Sequence, residues 1–439
     1  MNLRFKLAVD HYVGSAFAWL LNLSARFMAL LCRRDHTLRR PPRAVLFLKF
    51  TSLGSIARAA FLTRAVRARW PHCTLAFACF PSVAPLVRLY PEINHVLTVR
   101  DHSLLFLALD TLRLVFWSWR HGVALVIDLE VHSKYSSIVS GLTLARDRAG
   151  FAGITSRFRR GLYTHLVFWN PSRRVDLAYR QLGRALTLPA RSEYIRPVVP
   201  PAARREAATL LDSCGVTAGT LLLGVNPNAS DLSLARRWPL DRFAAVINAL
   251  PPDPRLHVCL LGSRQERPYV QRLASACTDA RVIHNLAGRV SFHGFLALLE
   301  RLSLLLTNDS GPLHLAASLG IPTVSVWGPT HPATYSPRSP HHRKFYHPLY
   351  CSPCVHFTDV PPCDGDNQCL QQLDWPPVAR AVCDLLALPT DALPSQPVHA
   401  PKPSAPSILG YWRRVSVPPP GHPDLDRPSL SGKGQGEGS

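Results

Sequence analysis

The sequence predicts an α/β protein of two doubly wound, Rossmann-like domains facing a cleft, and three observations carry that expectation. The chain has 439 residues, too many for one ordinary compact core and enough for two domains with flanking segments. Short runs that are apolar throughout alternate with helix-like stretches, as expected of parallel strands covered on both faces. The rhythm then stops at a proline cluster, Pro197, Pro200 and Pro201, and restarts beyond it. These signals divide the chain into an N-terminal segment (1–43), a first domain (44–195), a second domain (196–388) and a tail (389–439).

The first domain opens with Ala44-Val-Leu-Phe-Leu-Lys49, ended by Gly54 and followed by a helix-like stretch that Pro71 stops. Leu75 to Cys79 and Val96 to Val99 read as further strands, and Val123-Ala-Leu-Val-Ile-Asp128 as a continuous apolar strand with a carboxylate at its end. In the second domain the strands are Leu221–Val225, His257–Gly262, Val282–Ile283, Leu304–Thr307 and Thr323–Trp327. Ligands of such sheets bind beyond the carboxyl ends of the strands, so the loops there are the places to look for chemistry.

The flanks have a different character. Tyr12 to Leu31 is apolar but interrupted by Asn22, Ser24 and Arg26, and Arg33, Arg34, Arg39, Arg40 and Arg43 follow it. A signal peptide places its charge first, and a spanning helix tolerates little charge, so neither fits. An in-plane helix held at an anionic leaflet fits, as does a terminal helix packed on the protein's own surface. The tail is rich in Pro, Ser and Gly with little apolar periodicity, which is the composition of a disordered segment.

A net charge of +22, mostly from arginine, favours anionic partners. The arginines are dispersed and come with no nucleic-acid-binding pattern, so nucleic acid is not expected; substrate and membrane surface are. Eleven cysteines, most of them single within apolar runs, suit a reducing cytoplasm rather than a disulfide scaffold.

Three segments are suited to binding. Asn308-Asp-Ser-Gly-Pro-Leu-His314 follows a strand and opens a helix: Asp309 or Ser310 can cap it, Gly311 permits close approach, and Pro312 suits the first turn. The amides of that turn form an anion site, with His314 facing the same cleft. Gly224-Val-Asn-Pro-Asn-Ala-Ser230 also follows a strand, and Arg236 or Arg237 beyond it can pair with a phosphate. Lys49-Phe-Thr-Ser-Leu-Gly-Ser55 ends the first strand; Thr51, Ser52 and Gly54 make it a loop for close contact with a sugar, or simply a turn.

Taken together these segments resemble glycosyltransferase family 9, the ADP-heptose–lipopolysaccharide heptosyltransferase family. The matching pieces are Leu48-Lys-Phe-Thr-Ser-Leu-Gly54, Val126-Ile-Asp-Leu-Glu130, Asn226-Pro-Asn-Ala229, Arg237-Trp-Pro-Leu-Asp-Arg-Phe243, Asn285-Leu-Ala-Gly288, Thr307-Asn-Asp-Ser-Gly-Pro-Leu-His314 and Gly328-Pro-Thr-His-Pro332. They run in the family's order from about residue 44 to 385. The resemblance implies the GT-B architecture and inverting transfer from a nucleotide diphosphate sugar such as ADP-heptose to a lipopolysaccharide or other lipid-linked glycan. It implies no cofactor and no obligatory metal, and a place at the cytoplasmic side of the inner membrane. It also implies that Asp309 binds sugar hydroxyls, that the amides of Ser310, Gly311 and Leu313 hold the diphosphate with His314, and that Asn226 and Arg236 or Arg237 complete the donor site.

One departure stands out. The family carries an aspartate, the proposed general base, where this chain has Ser55. A serine hydroxyl does not accept a proton at neutral pH without an adjacent base. Asp128, Glu130 and His132 are the nearest replacements by strand-end position, and a catalytically silent nucleotide-sugar or glycan binder is the alternative; a nucleotide-sugar epimerase is a third reading. Cys351, Cys354, Cys363 and Cys369 have spacing suited to zinc, to two disulfides, or to neither.

Overall fold

The computed structural model describes residues 19–24, 35–229, 234–278, 282–355, 358, 362, 363, 366–391 and 393. Most of the N-terminal segment and nearly all of the tail therefore lie outside the described residues. Two six-stranded sheets form the frame. The first holds β1 (Ala44–Leu48), β2 (Thr74–Cys79), β3 (His95–Thr98), β4 (Val123–Asp128), β5 (Asp147–Ala152) and β6 (His165–Phe168). The second holds β7 (Leu221–Asn226), β8 (Leu256–Leu260), β9 (Val282–Asn285), β10 (Leu304–Asn308), β11 (Thr323–Trp327) and β12 (His342–Tyr346).

All pairings between these strands are parallel. The orders are β3-β2-β1-β4-β5-β6 and β12-β11-β10-β7-β8-β9, the same doubly wound order twice. The strand order reverses between β1 and β4 in one sheet and between β7 and β10 in the other. Those are the crevices in which such sheets bind ligands, and the three segments suited to binding follow β1, β7 and β10.

The nine expected strands form. The sequence reading missed β5, β6 and β12. β5 (Asp147-Arg-Ala-Gly-Phe-Ala152) contains charge and glycine, and it is held together by Asp147, which is buried and bonded to His36 (2.8 Å) and Arg146 (2.8 Å). β6 and β12 are short edge strands, and the second reads His342-Arg-Lys-Phe-Tyr346. Neither shows the apolar run of an interior strand.

Side-chain alternation sorts the first sheet into two faces. Val45, Phe47, Leu75, Phe77, Leu125 and Ile127 join a core that continues without a break into Leu222, Leu296, Leu305 and Leu315 of the second half. Leu46, Leu48, Ala76, Ala78 and Val126 face the other way, onto helices Leu104–Arg120 and Lys134–Leu142. The second sheet has its own outer core around Trp238, Phe243, Leu304 and Val378. Burying each large apolar side chain contributes about 1.5–3 kcal/mol, so the shared core ties the two sheets firmly. Helix Leu53–Ala59, which follows β1, packs directly on helix Gly311–Leu319, which follows β10. Among the described residues, no helix is long and apolar enough to cross a membrane.

Candidate functional site

The second sheet's crevice is built by side chains that knit neighbouring loops together. Asn308, the last residue of β10, donates to the carbonyls of Pro227 (2.8 Å) and Asn228 (3.3 Å) and accepts from the amide of Trp238 (3.0 Å). It thereby fixes the loop after β7 and the Arg236–Trp238 segment against the same strand end. Asn226 is almost fully buried and donates to Thr307 Oγ1 (2.9 Å) and Ser310 Oγ (3.1 Å), while its own carbonyl accepts from Asn228 (3.1 Å). The Asn226 amide thus holds Ser310 and Thr307 in place at the strand end.

Asp309 stands where these pieces meet. Thr330 Oγ1 donates to its Oδ2 at 2.7 Å, and Arg236 Nη1 lies 3.4 Å from the same oxygen. Thr330 is positioned by its Gly328-Pro-Thr330 turn, which is buttressed from behind. A Cβ on Gly328 would lie 2.6 Å from Leu370 and 2.9 Å from Cys369 Sγ, so only glycine fits. The amides of Cys354 and Val355 donate to the Pro329 carbonyl. Cys351, Cys354, Cys363 and Cys369 line one cavity beside Pro329 and Ala235, as free thiols. Burial pushes the Cys369 thiol up to about 12. Among the described residues, no group of three or more His, Cys, Asp or Glu is disposed to hold a metal ion. The cysteine-bearing segment is a clip behind the Thr330 turn.

The sequence left Arg236 and Arg237 as alternatives for the basic position. Their directions differ: Arg236 faces Asp309, whereas the Arg237 guanidinium stacks on Tyr269 at 4.3 Å from the ring centre. Arg236 is thus the one of the two that meets Asp309.

Helix Gly311–Leu319 starts at Ser310, whose side chain makes no capping bond because Asn226 and Thr307 occupy it. The expected side-chain cap from Asp309 or Ser310 does not form, and the first-turn amides are left without one. Pro312 has no N–H, so Gly311 and Leu313 supply the free donors of that turn. The Leu313 side chain is buried in the core, and only its amide faces the strand end.

His314 is also buried, and its Nδ1 meets the hydroxyl of Tyr194 at 2.7 Å, with the two rings nearly parallel. Burial holds its pKa well below the usual histidine value, aided by the nearby charges of Arg58 and Arg236. The ring is thus neutral at pH 7. Nδ1 and the Tyr194 hydroxyl share one hydrogen bond, and the Cδ2–Nε2 edge of the ring faces Gly54. A Cβ on Gly54 would lie 2.5 Å from His314 Cδ2. Gly54 is thus no open turn: it lies buried within helix Leu53–Ala59, where its missing side chain admits the imidazole of the other half.

The first sheet's crevice is looser at its rim. Thr51 and Ser52 are exposed, and Ser52 takes a positive φ of 72°, a strained conformation for a residue with a Cβ. Ser52 caps the helix: its Oγ accepts from the Ser55 amide (3.4 Å) and donates to Ser55 Oγ (3.0 Å). The remaining neighbour of Ser55 Oγ is Arg58 Nη2 at 3.3 Å. Ser55 therefore has hydroxyl and guanidinium neighbours, and neither takes its proton.

Asp128 is corrected as well. It is completely buried, paired with Arg159 (2.9 Å) and accepting from Ser136 (2.8 Å), Tyr163 and the amide of Glu130. An aspartate so enclosed organises the strand end and has no access to a substrate. Glu130 binds Lys49 Nζ (2.7 Å) and the Phe50 amide (2.9 Å). His132 is exposed, and partial covering of the ring together with Arg159 lowers its pKa below the usual histidine value.

Sequence reasoning gave no role to Arg58, Tyr194 and Tyr335. Arg58 reaches Ser55 and the Gly54 carbonyl and stacks on Tyr335 at 5.2 Å, bridging both halves. Arg58 falls one helical turn after Ser55, and that spacing was the available signal; nothing local marks Tyr194, which lies on the connection between the sheets.

Known proteins share these features. The chain is 30% identical over 143 residues to lipooligosaccharide heptosyltransferase 2 of Campylobacter jejuni, covering 32% of this chain and 44% of that protein. The match thus spans less than half of that relative's length. The structure of the Escherichia coli ADP-heptose LPS heptosyltransferase II aligns with a TM-score of 0.63 at 21% identity, over 78% of this chain and 98% of that one. A glycosyl transferase family 9 structure from Veillonella parvula gives 0.64 at 19% identity, over 79% and 97%. These likenesses establish the GT-B arrangement of the two sheets. The family model for glycosyltransferase family 9 (heptosyltransferase) matches residues 124–363, more than half of the chain, and the chain belongs to that family.

Proposed function

We propose that the protein is an inverting glycosyltransferase that moves a heptose-like sugar from a nucleotide diphosphate donor to a lipopolysaccharide or other lipid-linked acceptor. The observation that carries this reading is the uncapped start of helix Gly311–Leu319, set between Asp309 and Arg236 at the β7/β10 crevice. Free first-turn amides attract an anionic group, and the helix dipole adds to that attraction. A departing diphosphate would be stabilised there by the amides of Gly311 and Leu313 and by Arg236, with the neutral His314 imidazole beside them. Such stabilisation is electrostatic, with its donors fixed in advance, and it requires no obligatory metal. Asp309, held by Thr330, presents a carboxylate for sugar hydroxyls. The family supplies the donor class, and the Escherichia coli relative is by name an ADP-heptose enzyme.

On the opposite side, Thr51, Ser52 and Gly54 form the rim that meets the acceptor. With Asp128 enclosed and Glu130 held by Lys49, His132 is the strand-end group that solvent reaches and that is neutral at pH 7. We assign it the proton-accepting role left vacant by Ser55. Substituting His132→Ala should lower kcat by about 10²- to 10⁴-fold while leaving donor affinity unchanged. An unchanged kcat would remove that assignment.

The decisive test of the whole reading is Asp309→Ala, assayed with ADP-heptose and deacylated core glycan. Transfer should fall by about 10²- to 10³-fold with the thermal transition preserved. Equal rates in the two proteins would overturn the reading. Ser55 favours one other reading, a silent nucleotide-sugar binder. It would show donor binding without turnover in the natural chain, and turnover gained in Ser55→Asp.

A further inference from the structure

Helix Leu104–Arg120 buries Leu114 and Val115 against the sheet and yet carries a second apolar face outward. Its outward residues are Leu104, Leu105, Ala108, Leu109, Leu112, Arg113, Phe116, Trp119 and Arg120, while Asp110 and Ser118 point inward and are buried. Leu105, Leu112 and Phe116 are each about two-thirds exposed (64–65%), and no carboxylate lies on that face. Asp110 is tolerated inside because Arg100 binds it through two bonds of 2.7 and 2.9 Å and Arg113 through a third of 3.0 Å. Ser118 is satisfied by the Leu114 carbonyl. Two partnered polar groups share the inner face with Leu114 and Val115 while leucines and aromatic rings stay outside, which departs from the usual amphipathic pattern.

The apolar face continues beyond the helix. The Trp119 indole N–H donates to the Leu142 carbonyl, which brings exposed Leu144 alongside. Leu21 packs at Gly141, and Asn22 donates to the Phe158 and Arg160 carbonyls, so residues 19–24 lie on the same side. There Trp19, Leu20 and Leu23 are more than half exposed. Cationic side chains flank the patch at the helix's far end: Arg113, Arg120, and Arg43, whose stem passes 3.6 Å from the Cβ position of Gly122.

From this arrangement we infer that the outer face of helix Leu104–Arg120, extended by Trp19, Leu20, Leu23 and Leu144, seats the protein in the surface of an anionic lipid bilayer. A convex stripe about 25 Å long, with aromatic rings and arginines at one end and no acidic group, matches the boundary between headgroups and acyl chains. The chain's excess of positive charge adds attraction to an anionic leaflet.

The orientation also has consequences for substrate access. The helix leaves β3 and returns to β4 in a parallel sheet, so its first turn lies at the carboxyl-end edge, where β1 delivers Thr51 to Ser55. A protein seated on this stripe holds that rim beside the membrane. The inference deepens the reading of a lipid-borne acceptor, yet it stands or falls separately.

The test is flotation of the full chain with vesicles of phosphatidylcholine alone or with a third phosphatidylglycerol. The natural protein should float with the anionic vesicles. Leu112→Gln/Phe116→Gln changes only exposed side chains and should lower the bound fraction roughly tenfold or more, with thermal transition and ADP-heptose affinity unchanged. Arg113→Gln/Arg120→Gln should remove the preference for anionic lipid. Flotation of Leu112→Gln/Phe116→Gln equal to the natural protein would overturn the inference. So would a natural dimer in sedimentation that this variant converts to monomer, which would assign the face to a second copy. Flotation that begins only after residues 1–18 are removed would assign it to the chain's own N-terminus. A natural protein that fails to float with anionic vesicles yet transfers to a lipid-free acceptor would reject the docking face and keep the transferase; flotation of the natural protein without transfer would do the converse.

Discussion

The two crevices have the same strand order but are constructed differently. Around β7 and β10, side-chain amides and hydroxyls bond across loops until Asn226, Asn308, Asp309 and Ser310 are all buried and fixed. Around β1 and β4, the rigid part lies below the rim, in the Asp128–Arg159 pair and the Lys49–Glu130 pair, while the rim itself is exposed serine and threonine on a strained turn. A rigid crevice suits a small, highly charged donor whose phosphates must be met by donors already in place. A loose rim suits a bulky glycan acceptor, which brings much of its own shape.

That contrast can be attacked where it predicts the largest energies. Asp128→Ala leaves Arg159 buried without its carboxylate and should cost about 3–5 kcal/mol of folding stability, read by denaturant unfolding. A variant with natural stability but lost turnover would reverse the correction made above and return Asp128 to the chemistry. Next comes Gly54→Ala, whose methyl group would press on His314 from 2.5 Å. It should cost about 1–3 kcal/mol and weaken donor binding as the imidazole is displaced, measured by calorimetry with ADP. Donor affinity equal to the natural protein would show that the two crevices act independently.

The smallest expected effect is on pH dependence. His314 and His342 both have folded-state pKa values below the unfolded one, that of His342 at about 4, with burial the chief cause in each. The unfolded chain therefore binds protons that the folded chain does not, and stability rises with pH. Their contribution is complete above about pH 6.5 and declines as pH falls below it. Tyr194→Phe, which removes the partner of His314 Nδ1, should alter this acid limb. An acid limb identical in the two proteins would detach Tyr194 from the titration.

Most of the interior was readable from residues because interior parallel strands are continuous apolar runs, and those in β1, β4, β7, β10 and β11 show plainly. The edge strands were not, since β12 carries His342, Arg343 and Lys344 and owes its conformation to a neighbour. Site residues divide along a similar line. Asp309 and His314 sit in a contiguous motif and could be named from it. The choice between Arg236 and Arg237 depended on the distant Tyr269, and the fate of Asp128 on Arg159, thirty-one positions away. Periodicity carries no information about such pairs. The bracing role of Asn226 was not legible either, because a polar residue at a crevice strand end looks the same whether it faces substrate or braces the loop.

The contact between Gly54 and His314 also sets a thermodynamic condition on the protein's motions. Any opening of the cleft must move an imidazole away from a backbone it touches, so the position of the Ser52–Ser55 turn and the state of the donor site are coupled variables. Coupling of this kind is reciprocal: if a bound nucleotide sugar orders the serine turn, then a bound acceptor must tighten the nucleotide sugar by the same factor. Substrate order, in that case, is a matter of relative concentration more than of an obligatory sequence.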